Sequence, residues 1–163
     1  MFGQRSSNIF TRISDTRPRC LETLVLDDDS HWRQLVALNL ETRLGTLPFL
    51  AADGKEALEI MSERPIDVVI CDLQMPGMDG LQFLEKARKT SSRTQVILMS
   101  GDFESFPTAP RELIDKGALA AIPKTEICST LIDVLQILQD MPEQMPQVPH
   151  WRTRTYKEWS SVN

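Results

Sequence analysis

No apolar stretch in this 163-residue sequence approaches the roughly 18 residues that a membrane-spanning helix requires, so membrane insertion is not expected. The first twenty residues lack the apolar centre of a secretory signal, and nothing in them argues for export. Cysteine is scarce: Cys20, Cys71 and Cys128 are odd in number, widely spaced and without metal-ligand patterning. Reduced thiols in a cytoplasmic protein are the expected state. His31 and His150 have no partner pattern, and no internal repeat is visible. A basic body is also missing. Residues 1–20 carry four arginines against one acid (+3) and residues 141–163 carry +1, which leaves −9 for the middle of a chain whose formal charge is −5. Such an acidic body is not expected to bind DNA, which requires a basic face.

What remains is a soluble, globular composition, 41% apolar and 25% charged, at a length that suits one domain with a real core. Residues 1–20 read as a flexible basic arm. Residues 21–140 alternate strand-like and helix-like segments, which predicts an α/β fold with a parallel sheet and helices on both faces. Strands are expected over 22–26, 46–51, 67–71, 94–99 and 118–122. Ser30 is a candidate cap for the first helix, with Trp32, Leu35/Val36 and Leu40 near a 3.6-residue period. Asp53 caps the second helix, and Asp79 with Gly80 reads as a turn and cap for the third. A short helix starts at Pro110 and ends near Gly117, and a last one spans about 126–139, its stripe Ile127, Leu131, Val134/Leu135 and Leu138 joined by Ile132 and Ile137 toward another side. Residues 141–163 form a tail broken by Pro142, Pro146 and Pro149, with Trp151, Tyr156 and Trp159 among basic residues. Docking of 150–159 on the body or on a partner is expected from those aromatics.

Polar residues recur where the apolar runs end. Asp27, Asp28 and Asp29 follow Glu22–Leu26, and Asp72 follows Asp67–Cys71. Ser100 follows Thr94–Met99, and Lys124 follows Ala118–Pro123. Open α/β sheets build their sites at such strand ends. Carboxylates gathered there repel one another unless a cation joins them, which suggests Mg²⁺ and phosphoryl transfer.

The runs Leu24–Ser30, Cys71-Asp-Leu-Gln-Met-Pro-Gly-Met-Asp-Gly80, Ser100-Gly101 and Pro123-Lys124, in this order and spacing, closely resemble the receiver domain of two-component response regulators over about residues 22–140. The resemblance implies a doubly wound, flavodoxin-like (βα)5 sandwich with strand order 2-1-3-4-5. It makes Asp72 the phosphoacceptor, fed by a sensor histidine kinase or a histidine phosphotransfer protein. Asp28, Asp72 and the backbone carbonyl of Gln74 would hold Mg²⁺ directly and Asp27 through water. Lys124 would supply a second cation, and the Ser100 hydroxyl would bond a phosphoryl oxygen. The expected function is a stand-alone, single-domain response regulator in the cytoplasm. It is a phosphoacceptor rather than an enzyme, acting on an unidentified output protein or in a phosphorelay. No output domain is expected after residue 140, where the residues are few and broken by prolines.

Two positions depart from the family. Receivers generally carry Tyr or Phe three residues before the lysine, where Ala121 stands here, and proline after it, where Thr125 stands. A cis Lys124–Thr125 bond would cost about 3–4 kcal/mol without proline and is disfavoured. Both departures favour an alternative, a constitutive interaction module on the same scaffold, while the intact Asp27/Asp28/Asp72/Ser100/Lys124 set opposes it. A haloacid-dehalogenase-like phosphatase is set aside, because its Asp-x-Asp pair is missing: Leu73 and Gln74 follow Asp72.

Overall fold

The computed structural model describes residues 20–140; the basic arm and the aromatic tail, with the docking expected of 150–159, lie outside the described residues. Five strands, β1 (Thr23–Leu26), β2 (Phe49–Ala51), β3 (Val68–Asp72), β4 (Gln95–Ser100) and β5 (Ala120–Pro123), pair in parallel in the order β2-β1-β3-β4-β5. The helices are α1 (Ser30–Leu44), α2 (Gly54–Glu63), α3 (Gly80–Thr90), α4 (Pro110–Asp115) and α5 (Ile127–Asp140), with a 3-10 turn at Lys124–Glu126 leading into α5. This is the expected flavodoxin-like architecture. No described helix is long and apolar enough to cross a membrane.

Side chains alternate across each strand, so one run of apolar residues serves two cores. Leu24, Leu26, Val69, Cys71, Val96, Leu98 and Ala121 pack with residues of α2, α3 and α4. Val25, Val68, Ile70, Ile97, Met99 and Ile122 pack on the opposite face with Val36 and Leu40 of α1 and Ile127, Leu131 and Leu135 of α5. Burial on both faces explains why these strands read as continuous apolar runs rather than alternating ones.

Several local expectations are corrected. The first helix is capped by Asp29, in extended conformation, whose carboxylate accepts from the His31 N–H; Ser30 is already helical. Strand β2 begins at Phe49, not Thr46. The Thr46 amide is spent on the end of α1, donating to Leu40 O beside left-handed Gly45 (φ 65°), and Pro48 has no N–H to give. Leu35 is exposed while Val36 and Leu40 are buried, so the α1 stripe is narrower than its apolar content suggests. Ile132 joins the α1/α5 core rather than a second face. All peptide bonds among the described residues are trans, Lys124–Thr125 included.

Candidate functional site

The parallel register brings the strand ends together. Leu26 pairs with Cys71, Asp72 with Met99, and Ser100 with Pro123, so the residues that follow β1 and end β3, β4 and β5 share one edge. Asp27 is fully buried. Its backbone N–H reaches Ala51 O (3.3 Å), its carbonyl accepts from the Arg33 guanidinium, and its Oδ1 accepts from the Asp29 N–H (2.9 Å). These bonds leave Oδ2 pointing at Lys124, whose Nζ lies 2.7 Å away. The same Nζ lies 3.2 Å from Asp72 Oδ2. Lys124 is only 9% exposed, so one ammonium bridges two buried carboxylates.

Asp28 is exposed, yet a carboxylate oxygen from each of Asp27, Asp28 and Asp72 lies within 4.8 Å of the others. Three carboxylates facing one lysine leave net negative charge where solvent is scarce. The donor set, hard oxygens only, fits a small divalent cation. Burial pushes the Asp72 carboxyl above its ordinary value; Lys124 pulls it back in part, and the charge of Asp27 adds to the rise. Gln74 meets Asp72 through its backbone N–H. The neighbouring Cys71 thiol is pushed well up by burial and by the surrounding aspartates, which makes it an inert packing residue.

Two loops hold the site in shape. After β3 the chain turns through Gly77 (φ 79°), and the Gly80 N–H returns to Leu73 O (3.0 Å). Gly80 is required there, because a Cβ would lie 2.5 Å from the Asp72 carbonyl oxygen and 2.8 Å from Leu73 Cα. Asp79 then starts α3 with a reciprocal capping box to Gln82. After β4, buried Ser100 accepts from the Asp102 N–H (3.1 Å), and Asp102 accepts from Glu104 and Ser105. Those Ser105 contacts hold the Asp102 carboxyl below its usual value. Phe103 and Phe106 of this loop pack against the core that contains Ala121.

All of the residues singled out from the sequence are thus at one edge, with Asp27, Asp72 and Lys124 in direct contact. Three further contacts complete the site. Arg33 holds the Asp27 carbonyl, Gly80 permits the close return to Asp72, and the Trp32 ring lies 5.1 Å from Lys124 Nζ. Their signal was position alone: Trp32 and Arg33 occupy the first turn of the helix that follows the acidic triplet.

Comparison with known proteins agrees with this geometry. The family model described as the response regulator receiver domain matches residues 23–136. The sensory/regulatory protein RpfC of Xanthomonas campestris pv. campestris is 32% identical over 143 residues, 85% of this chain and 19% of that protein. The regulator of RpoS of Escherichia coli is 37% identical over 79 residues, 48% of this chain and 23% of that protein. The chain therefore spans about a fifth of the length of the curated relatives it matches. Among solved structures, the receiver domain of Francisella response regulator 1452 superimposes with a TM-score of 0.65 at 30% identity, covering 73% of this chain and 96% of that one.

Proposed function

This chain belongs to the response regulator receiver family, and from that premise we propose that Asp72 accepts a phosphoryl group from a phosphohistidine. The donor is a sensor histidine kinase or a histidine phosphotransfer protein in the cytoplasm. An Asp72 carboxylate oxygen attacks phosphorus, the P–N bond to the imidazole breaks, and the imidazole keeps the electron pair and takes a proton from water. The observation that carries this reading is the Lys124 ammonium held between Asp27 and Asp72 at 2.7 and 3.2 Å. Phosphoryl transfer is governed by positioning and charge, and this lysine lies beside the carboxylate assigned the attack.

Asp28, Asp72 and the Gln74 carbonyl, with Asp27 through water, would hold Mg²⁺, which when bound neutralises charge on the phosphoryl oxygens. Lys124 then has a phosphoryl oxygen to meet as well as a carboxylate. Ser100 uses its oxygen as an acceptor for the Asp102 N–H, so its own O–H is left to donate to a phosphoryl oxygen. Burial of Asp72 keeps bulk water away from the acyl phosphate once it forms. The domain catalyses at most its own phosphorylation and hydrolysis.

Signalling then proceeds by phosphorylation-dependent binding of another protein or by onward relay of the phosphoryl group, not by contact of this acidic body with DNA. Ala121 has no rotamer to report the state of Ser100, so the 101–109 loop, rather than an aromatic on β5, is the element that responds. Acetyl phosphate with Mg²⁺, followed by intact mass, tests the reading. One added phosphoryl group, lost on chelation, is expected. No mass gain would leave the constitutive interaction module as the better account.

A further inference from the structure

The ammonium of Lys124 has three N–H donors and no acceptor. Two directions are taken by Asp27 Oδ2 at 2.7 Å and Asp72 Oδ2 at 3.2 Å. On a further side lies the ring of Trp32, its centroid 5.1 Å from Nζ and so inside the roughly 6 Å reach of a cation–π contact. The ring is itself anchored, packing against the α1/α5 core that includes Val36, Ile122 and Ile127. Trp32 stands in the first turn of α1, and Lys124 in the turn after β5, so the contact joins the two ends of the site.

We propose that Trp32 is a positioning residue for Lys124, an inference that rests on Asp72 being the phosphoacceptor. Of the two carboxylates, Asp27 has the shorter contact and would draw the ammonium away from the reacting oxygen. An aromatic face attracts a cation without neutralising it or offering it a competing acceptor oxygen. The ring therefore keeps Lys124 in place while its full charge stays available to the incoming phosphoryl oxygens. It also occupies space from which water would otherwise solvate the ammonium.

A purely structural role for Trp32 would depend on the shape of the indole, whereas this one depends on the negative charge of its face. The test uses the full chain with Trp151→Phe and Trp159→Phe, so that Trp32 is the one tryptophan, and incorporates increasingly fluorinated tryptophans. These keep the ring shape while draining its face. The initial rate of phosphorylation by acetyl phosphate with Mg²⁺ should fall stepwise with fluorination, while the melting temperature holds. Trp32→Leu should be about fivefold slower, the loss that a cation–π contact of moderate strength implies. Equal rates across the folded fluorinated set would overturn the proposal and reduce Trp32 to a packing residue. No phosphorylation of the unfluorinated protein would instead fail the phosphoacceptor reading itself and remove this inference with it.

Discussion

Helices α1, α2 and α3 each begin on an aspartate, Asp29, Asp53 or Asp79, whose carboxylate accepts a backbone N–H of the first turn. Toward the β4–β5 edge of the sheet, α4 begins at Ala109 and the 3-10 turn at Pro123, and neither has a side-chain cap. The capped half supplies Asp27, Asp28 and Asp72; the uncapped half supplies Ser100 and Lys124. Each cap contributes about 1 kcal/mol and fixes where a loop ends. The carboxylates are therefore set on loops locked by their own local bonds. Ser100 and Lys124 depend on packing, on the Asp102 turn and on the ion pairs across the site. A displacement of the second half has fewer local bonds to break, which is the arrangement a phosphoryl-driven rearrangement needs. The departures from the family, Ala121 and Thr125, fall in that same half.

The largest effect that would sharpen this contrast is at Gly80. A methyl there meets the Asp72 and Leu73 backbone at 2.5 and 2.8 Å, so Gly80→Ala should destabilise the protein by about 2 kcal/mol or more in urea unfolding. Unchanged stability would mean that the loop after β3 yields, against the idea of a locked half. Next is Asp28→Ala, which should weaken Mg²⁺ binding at least about tenfold by calorimetry, since loss even of a residue that only supports a metal ligand commonly costs that much. Equal affinities for wild type and variant would remove Asp28 from the metal site.

A smaller effect concerns Asp72. Its proton is held more tightly in the folded protein than in the unfolded chain, chiefly through burial. The ionised carboxylate therefore costs stability as pH rises through the raised value, and the cost is absent below the ordinary value of 3.8. Asp72→Asn should melt higher than wild type at neutral pH, and the advantage should vanish in acid. A lower melting temperature at neutral pH would show that the Lys124–Asp72 pair outweighs the burial. The smallest change, Ala109→Asp, would give α4 the kind of cap its counterparts have and should add about 0.5–1 kcal/mol in thermal unfolding. No gain would mean that the missing cap is not what distinguishes the two halves.

Much of this is legible in the sequence, for a physical reason. Continuous apolar runs ending in Asp, Ser or Lys mark buried parallel strands and their carboxyl ends, so Asp27, Asp28, Asp72, Ser100 and Lys124 could be assembled from order alone. The capping role of Asp79 followed from the glycine beside it. Less was readable where two residues compete for one task. Asp29 and Ser30 both suit a helix cap, and the choice depends on where the chain leaves β1. Thr46 reads as strand but closes the left-handed cap at Gly45, an outcome of where α1 stops. Trp32 fits the apolar period of the first helix and stands just after the acidic triplet. Its contact with Lys124 arises only when β5 is brought beside α1, which no local pattern encodes.

The central claim, that the Asp72 carboxylate forms an acyl phosphate, is tested most directly by chemical trapping. The protein is phosphorylated with acetyl phosphate and Mg²⁺, reduced with borohydride and mapped by peptide mass spectrometry. Reduction of an aspartyl phosphate yields homoserine, and the account predicts it at position 72 alone. Homoserine at Asp27 or Asp28, or a stable phosphate on a hydroxyl with position 72 unmodified, would contradict it.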